Sequence, residues 1–218
     1  MPREVVLLGK GSLAIRIADW FHRSPDHELT WVVPSVPEPV WTDSLMGWAE
    51  ANGVPYVASG DHRQLPGFAD DSASLDLVFS VFYSTIIRAD FIDSCRRILN
   101  LHNAPLPRYR GVSPINWALK NGEREHGVTM HEITPGIDDG PIVAQLGYSI
   151  YPEFEEVEDV YARALDYGFA LFAKTMPLLD RIAARPQDDS QATYYSRADN
   201  PRLEERRHFT RAQSVGGG

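Results

Sequence analysis

Cysteine is almost absent from this sequence: Cys95 is the single one among 218 residues. A lone cysteine forms no disulfide within the chain and offers a metal no thiolate cluster. Long hydrophobic runs are also missing, since none approaches the roughly 20 residues that cross a bilayer. The first residues lack the basic, apolar and small order of a secretory signal. We therefore expect a protein of the reducing cytoplasm with no membrane-spanning segment.

Basic residues are outnumbered, with 21 Lys and Arg against 30 Asp and Glu and a formal net charge of −9. A field of this sign repels phosphate backbones, so we expect no nucleic-acid partner. An anionic ligand would need a local basic or backbone site. Hydrophobic residues make up 43% and charged residues 23% of the chain, as in ordinary soluble proteins. This length predicts one large domain, alone or with an appendage.

Short apolar runs alternate with segments of helical periodicity over residues 1–102. The runs predict strands at 5–8, 29–33, 54–57, 75–82 and 98–102. The intervening segments predict helices, including 43–52 and 89–97. This alternation is typical of βαβ units. We therefore expect an α/β fold, with a Rossmann-like, mostly parallel sheet covered by helices on both faces.

The pattern changes after residue 102. Strands are predicted at 127–133 and 142–150, and apolar residues at helical spacing predict a long amphipathic helix over 155–179. From residue 186 the composition becomes polar. We divide the chain into a domain over 1–185 and a carboxyl-terminal arm over 186–218 that is partly flexible.

A glycine-rich turn follows the first strand. It contains Gly9, Lys10, Gly11 and Ser12, and the strand–turn–helix order presents backbone N–H groups to an anion. The spacing is not that of a P-loop, and Ala14 stands where the dinucleotide fingerprint prefers a third glycine. Two interpretations stay open: a tight structural turn, or a phosphate site in which these four residues bind substrate.

The strongest candidate site lies further on. Asn100 and His102 are two residues apart on a strand, so both side chains face the same side. The carboxyl end of such a strand is where open α/β sheets place ligands. Asp138 stands between glycines that let the backbone return over the sheet edge. These three groups form a catalytic set: the amide can donate to an oxyanion, the imidazole can transfer a proton, and the carboxylate favours the charged imidazole. The alternatives are a core histidine at 102 and Asp139 in place of Asp138.

These residues lie in a block over 99–145 that resembles the folate-dependent formyltransferase family. The family pattern runs Asn-x-His, Leu-Pro-x-x-x-Gly, Gly-Val-Thr and Asp-x-Gly. All four occur here in order, at 100–102, 106–111, 127–129 and 138–140. Weaker likeness extends from residue 1 to about 180. The resemblance implies a formyltransferase fold over 1–185, the co-substrate 10-formyltetrahydrofolate, an acceptor amine and no metal.

The resemblance also implies roles for individual residues. Carried over by position, Asn100, His102 and Asp138 are catalytic: the first two stabilise the oxyanion, and Asp138 keeps His102 charged and accepts the proton of the amine. Segment 81–87 corresponds to the one whose backbone holds the pterin, and the loop 133–138 closes over the same ring. The co-substrate-binding residues so implied are Tyr83, Thr85, Ile87, Ile133 and Gly136.

Segment 105–123 indicates the class of acceptor. It most resembles the corresponding segment of enzymes that formylate nucleotide-linked amino sugars. Arg108 and Tyr109 are candidate substrate-binding residues on this loop, and a solvated loop is the alternative. Trp41, Trp117 and Tyr109 are candidate stacking residues. Fewer than 40 residues follow the long helix, which disfavours the second domain of the tRNA enzymes. The alternatives are another small amine, such as glycinamide ribonucleotide or a secondary-metabolite amine, and a non-catalytic folate-binding protein.

Other residues receive plainer interpretations. The sugar enzymes often pair through carboxyl-terminal segments, which makes 194–211 a candidate homodimer contact. His131 is expected to be structural or to lie at the rim of the site, and Cys95 to pack a helix. The remaining histidines are expected at the surface, namely His22, His27, His62, His126 and His208.

Overall fold

The computed structural model describes residues 1–66, 68 and 75–203. Its strands within those residues are β1 (Arg3–Gly9), β2 (His27–Pro34), β3 (Leu77–Val81), β4 (Ile98–His102), β5 (Arg110–Gly111), β6 (Glu125–Glu132), β7 (Ile142–Ser149) and β8 (Tyr194–Tyr195). The α-helices are α1 (Gly11–Arg23), α2 (Leu45–Asn52), α3 (Ala89–Asp93), α4 (Pro114–Lys120) and α5 (Val157–Thr175). Short 3-10 helices lie at His62–Gln64, Met176–Arg181, Asp189–Gln191 and Arg197–Leu203.

Six strands form the main sheet in the order β2-β1-β3-β4-β6-β7. The pairs among β1 to β4 are parallel, and β6 and β7 extend the sheet as antiparallel strands. The mostly parallel α/β fold expected from the sequence is therefore confirmed. Because β1, β3 and β4 are parallel neighbours, the segments that follow them meet at one edge of the sheet.

The two faces of the sheet differ in what covers them. Leu99 and Leu101 of β4 belong to the larger core cluster, on the face where α1 and α5 pack. Ile98 belongs to a second cluster, which includes Phe91 of α3. Since successive side chains of a strand point to opposite faces, Asn100 and His102 lie on the α3 face. The short α3 leaves room on that face for a cleft.

The structure differs from the expected elements in three places. Residues 54–57 form no strand, only a single bridge between Tyr56 and Val32, because Pro55 has no N–H to give a ladder. The helix expected over 89–97 ends at Asp93, where the Ser94 hydroxyl donates to the carbonyl of Phe91. Two-residue strands β5 and β8 form a second, parallel sheet that no periodicity signals.

No helix within the described part of the chain is long and apolar enough to cross a membrane. At the carboxyl end, the arm expected over 186–218 is described up to residue 203. Residues 204–218 lie outside the described residues, and with them His208 and part of the candidate dimer contact at 194–211.

Candidate active site

Two cavities open at the edge of the sheet where β1, β3 and β4 end. One, here called the isoleucine cavity, is lined on one side by Tyr83, Thr85, Ile86 and Ile87, and on the other by Ile133, Gly136 and Ile137. The other, here called the lysine cavity, is lined among others by Lys10, Phe82, His102, Asn103 and Arg197. The cavities share Tyr83, Ser84, Asn100, Gly111, Val112 and Asp138 in their walls. They are therefore two compartments with a common boundary.

Asp138 is brought to that boundary by the loop that joins β6 to β7. Its backbone has a φ of 51°, in the left-handed region, which Asp tolerates better than most residues with a side chain. Gly140 ends the turn so closely packed that a Cβ there would lie 1.8 Å from the carbonyl oxygen of Glu132. The Asp138 side chain is only 15% exposed. By contrast, Asp139 is exposed and accepts a hydrogen bond from the Thr134 hydroxyl, so it faces away from the boundary.

Three groups surround the carboxylate of Asp138. The backbone N–H of Gly111 donates to Oδ2 over 2.9 Å. His102 Nδ1 lies 3.6 Å from Oδ2, and His131 Nε2 lies 3.5 Å from Oδ1. Burial alone would raise the pKa of Asp138, but the two imidazoles and the Gly111 N–H together lower it well below its usual range. The carboxylate is therefore ionised at neutral pH.

The proton positions on His102 follow from its other partner. His102 Nε2 lies 2.9 Å from the carbonyl oxygen of Tyr109, and a carbonyl only accepts. Nε2 therefore carries a hydrogen, and Nδ1 is the ring nitrogen that faces Asp138. The ring is 8% exposed, on the wall of the lysine cavity. This arrangement suits an imidazole that exchanges a proton with a bound molecule.

His131 is a member of the site that sequence reasoning left at the rim. The antiparallel register of β4 and β6 sets it directly opposite Asn100, and its Nε2 lies 3.1 Å from the Asn100 amide nitrogen. Its Nδ1 donates to the carbonyl of Glu132 over 2.8 Å, and the same Nε2 faces Asp138 Oδ1 over 3.5 Å. His131 thus orients the amide of Asn100 while touching Asp138. The pairing register of β4 and β6 is the signal that would have placed His131 in the site.

The carboxyl-terminal segment reaches back to hold this loop. Gln187 Nε2 donates to the backbone carbonyls of Asp138, over 2.8 Å, and of Gly140, over 2.7 Å. β8 pairs with β5, and a Cβ on Gly111 would lie 2.1 Å from the carbonyl oxygen of Tyr195. Residues 186–203 are therefore part of the structure around Asp138. Nothing in their composition had suggested this.

The residues expected to bind the co-substrate all line one cavity. Tyr83, Thr85 and Ile87 follow β3, and Ile133 and Gly136 lie on the β6–β7 loop, on the walls of the isoleucine cavity. The Tyr83 hydroxyl donates to the carbonyl of Gly60 over 2.5 Å and also contacts His62, which fixes its ring. Ile86 and Ile137, which lie in the same two segments, also line the cavity and are 68% and 40% exposed.

The glycine-rich turn divides into one residue at the site and three away from it. Lys10 lines the lysine cavity, and its Nζ donates to Ser84 Oγ over 2.6 Å. A Cβ on Gly9 would lie 2.4 Å from the carbonyl oxygen of Val81, so this glycine allows close packing of β1 and β3. Gly11 has a φ of 76°, and the backbone N–H of Ser12 donates to Thr42 Oγ1. The structure gives Gly9, Gly11 and Ser12 the structural interpretation.

Arg108 and Tyr109 are not brought to either cavity. The Arg108 guanidinium pairs with Glu123 at 3.2 Å, and the Tyr109 hydroxyl donates to the same carboxylate over 2.7 Å. Tyr109 is 3% exposed and its ring stacks on Tyr195. The Tyr109 side chain is thus engaged inside the protein, whereas the Arg108 side chain is 40% exposed and held by Glu123. Tyr109 serves the site through its carbonyl. Trp117 is buried as well, stacked on Tyr195 at 4.2 Å, whereas Trp41 is 68% exposed.

Two histidines expected at the surface are buried instead. His62 is 2% and His126 is 1% exposed. His126 Nε2 donates to the carbonyl of Asn103 over 2.8 Å, and burial lowers the pKa of His126 to about 4. Burial raises the pKa of the Cys95 thiol to about 11, and its Sγ contacts the carbonyl of Phe91, so this cysteine is no nucleophile.

Known proteins share both the sequence pattern and the architecture of this chain. A family model described as formyl transferase matches residues 66–176, about half of the chain. A methionyl-tRNA formyltransferase of Deinococcus radiodurans is 36% identical over 138 residues, which is 61% of this chain and 43% of that protein. The chain therefore spans less than half the length of this curated relative.

Two solved structures have the same fold over most of the chain. WlaRD, a sugar 3N-formyl transferase crystallised with dTDP and 5-N-formyl-THF, superposes with a TM-score of 0.76 at 25% identity, over 91% of this chain and 71% of that one. An N-formyltransferase of Helicobacter canadensis, in complex with folinic acid and dTDP-3-aminofucose, gives a TM-score of 0.74 at 25% identity, over 91% and 72%.

Proposed function

Since this chain belongs to the formyltransferase family, we propose that it transfers a formyl group from 10-formyltetrahydrofolate to the primary amine of a nucleotide-linked amino sugar. One observation carries the proposal: two cavities share Asn100 and Asp138 in a common wall. A group transfer between two bound molecules needs two compartments that meet at the reacting atom. A protein that only binds folate has no use for the second.

The isoleucine cavity is the compartment for the folate. Its isoleucines offer apolar surface on both sides of a flat ring, and the backbone of residues 83–87 offers hydrogen-bonding groups at the edge. WlaRD and the Helicobacter canadensis enzyme were both crystallised with folate ligands, which supports a folate co-substrate for this chain. The lysine cavity then receives the acceptor, whose amine meets the formyl carbon beside Asn100 and Asp138.

10-Formyltetrahydrofolate supplies an electrophilic formyl carbon, and the side chains act on the atoms around it. The amine lone pair forms the new C–N bond while the carbonyl electrons move to oxygen. The Asn100 amide, oriented by His131, donates to that oxyanion. The proton that the amine loses passes to Asp138 or to Nδ1 of His102. The same pair returns it to N10 as the bond between N10 and the formyl carbon breaks, releasing tetrahydrofolate.

A second acceptor belongs in the assay because of one comparison. The Deinococcus radiodurans relative, 36% identical over 138 residues, is a methionyl-tRNA formyltransferase. The net charge of −9 opposes a tRNA partner, because it repels the phosphate backbone. Methionyl-tRNA therefore enters the test as the competing substrate.

The test is a formyl-transfer assay with a panel of UDP- and dTDP-linked amino sugars, glycinamide ribonucleotide and methionyl-tRNA. Tetrahydrofolate release and product mass are the readouts, and the same reactions with Asn100→Ala are the control. We expect formylation of at least one nucleotide-linked amino sugar and a rate about 100-fold lower with the variant. Donor binding without transfer to any amine would overturn the proposal in favour of a folate-binding protein.

A further inference from the structure

We propose that Lys10 and Arg197 form a subsite that binds the diphosphate of the acceptor, inside the lysine cavity. The inference rests on the proposed function and deepens it, because it assigns the group by which the acceptor is recognised. Lys10 follows β1 and Arg197 begins a 3-10 helix near the other end of the chain, yet both line this cavity. Both lie outside residues 66–176, which the family model matches.

The cationic charges of the pair are not neutralised by the described part of the chain. Lys10 Nζ has the neutral hydroxyl of Ser84 as its hydrogen-bond partner, and within residues 1–66, 68 and 75–203 no carboxylate pairs with either side chain. The neighbouring Arg202, by contrast, pairs with Asp199. In a chain with an excess of nine negative charges, two uncompensated cations in one cavity indicate a negatively charged ligand.

The positive charges in the lysine cavity repel one another, which lowers the stability of the folded chain. Lys10 is the N-cap of α1, whose first turn contains no acidic residue, so its charge adds to the positive end of the helix. Burial lowers the pKa of Lys10, and the charge of Arg197 lowers it further. Each of these repulsions is relieved when an anion binds between the two side chains. A role in folding would have favoured a Ser, Asp or Thr at this N-cap.

The remaining carboxylate on the wall, Asp138, does not cancel the pair. Its charge is already engaged by His102, His131 and the backbone N–H of Gly111. Asn103 adds a complementary feature: it is 7% exposed, lines the same cavity, and leaves its side-chain oxygen without a hydrogen-bond partner among the described residues. An acceptor for N–H or O–H groups beside two cations suits a ligand that carries hydroxyls or an amine together with phosphate.

The first experiment measures the binding of inorganic pyrophosphate to the full chain by calorimetry. Wild type, Arg197→Gln and Lys10→Gln are compared at low salt, with Arg202→Gln as the matched control on the same 3-10 helix. We expect each cavity variant to weaken binding at least tenfold and Arg202→Gln to change it less than twofold. Equal weakening in all three variants would show that only surface charge is sensed, and no weakening in either cavity variant would show that the pair does not bind the anion. Either result would overturn the subsite.

The second experiment uses turnover. With a diphosphate-linked amino sugar, Arg197→Gln is expected to raise the acceptor KM at least tenfold while kcat and the donor KM change less than threefold. Arg197→Lys should recover part of the loss, because it keeps the charge without the planar fork. An unchanged acceptor KM in both cavity variants would refute the subsite and leave the proposed function standing. If the cavity variants lose pyrophosphate binding while the wild-type protein formylates no amine, the subsite would be supported and the proposed function rejected.

Discussion

The isoleucine cavity and the lysine cavity share a wall but are built from different parts of the chain. The first is lined by residues 80–138, all inside the segment that the family model matches. The second adds Lys10 and Arg197 from outside that segment. Among the described residues, the walls of the first are largely apolar with no Lys or Arg, and those of the second carry both. Under the proposed function, a co-substrate common to a family would be held within the matched segment, and the acceptor in part by residues from outside it.

The largest effect is expected where the two cavities meet. Asp138→Asn removes the charge that faces both histidines, and Asn tolerates the left-handed backbone at least as well as Asp. We expect kcat to fall about 1000-fold, within the range for loss of an acid–base group, with both KM values within threefold of wild type. Steady-state kinetics and a thermal melt check this. A rise in only one KM would mean that Asp138 belongs to one cavity and not to the boundary.

Acid is expected to disturb the lysine cavity through His126, which supports Asn103. The pKa of His126 is about 4 in the folded chain against an ordinary value of 6.5, so the folded state prefers the neutral ring. Its stabilising contribution is complete above pH 6.5 and is lost as the pH falls from there to about 4, on the order of 3 kcal/mol in unfolding free energy.

His126→Gln tests this, because Gln keeps an N–H donor for the Asn103 carbonyl but does not titrate. The pH dependence of the unfolding free energy should be flatter between pH 6.5 and 4 in the variant than in wild type. Parallel curves would contradict the assignment. His22→Gln, at an exposed position, is the matched control.

Gln187 is expected to be a positioning residue for the shared wall. Gln187→Ala leaves the carbonyls of Asp138 and Gly140 without their donor, which lowers the unfolding free energy by about 1–3 kcal/mol. Because the loop then shifts, we expect kcat to fall about tenfold while both KM values stay within threefold of wild type. Gln191→Ala, which loses only a bond to Asp188, is the control. A loss of stability with an unchanged kcat would mean a purely structural role.

The smallest effect should separate the cavities most cleanly. Ile86 and Ile137 are exposed and line only the isoleucine cavity, so their truncation costs folding little. Each change to Ala is expected to raise the donor KM about five- to tenfold, by the apolar area lost to the ligand, with the acceptor KM unchanged. Val40→Ala, exposed but away from the cavity walls, is the control. An equal rise in both KM values would erase the distinction between the compartments.

The sequence predicts some residues of the two cavities and misses others, and local spacing explains the difference. Asn100, His102 and the co-substrate residues lie on single strands or on the loops beside them, where spacing fixes the side that each faces. The place of His131 beside Asn100 is not predicted, because it depends on the register between β4 and β6, which strand alternation alone does not reveal. The place of Arg197 on the cavity wall is not predicted either, because short 3-10 segments have no periodic signal in the sequence. Tyr109 was misplaced because a left-handed φ of 64° turns its ring inward from a loop that looks exposed.

The pairing of β8 with β5 has a consequence for dividing this protein into parts. A fragment that ends after α5 would keep all six strands of the main sheet and the whole of the matched segment, and would look like a complete domain by sequence. It would nonetheless lack Gln187, the strand that lies against Gly111, and Arg197. Such a truncation would retain the architecture of a transferase while discarding the scaffold that aims its carboxylate, so fusion or insertion experiments should place their junctions beyond residue 203.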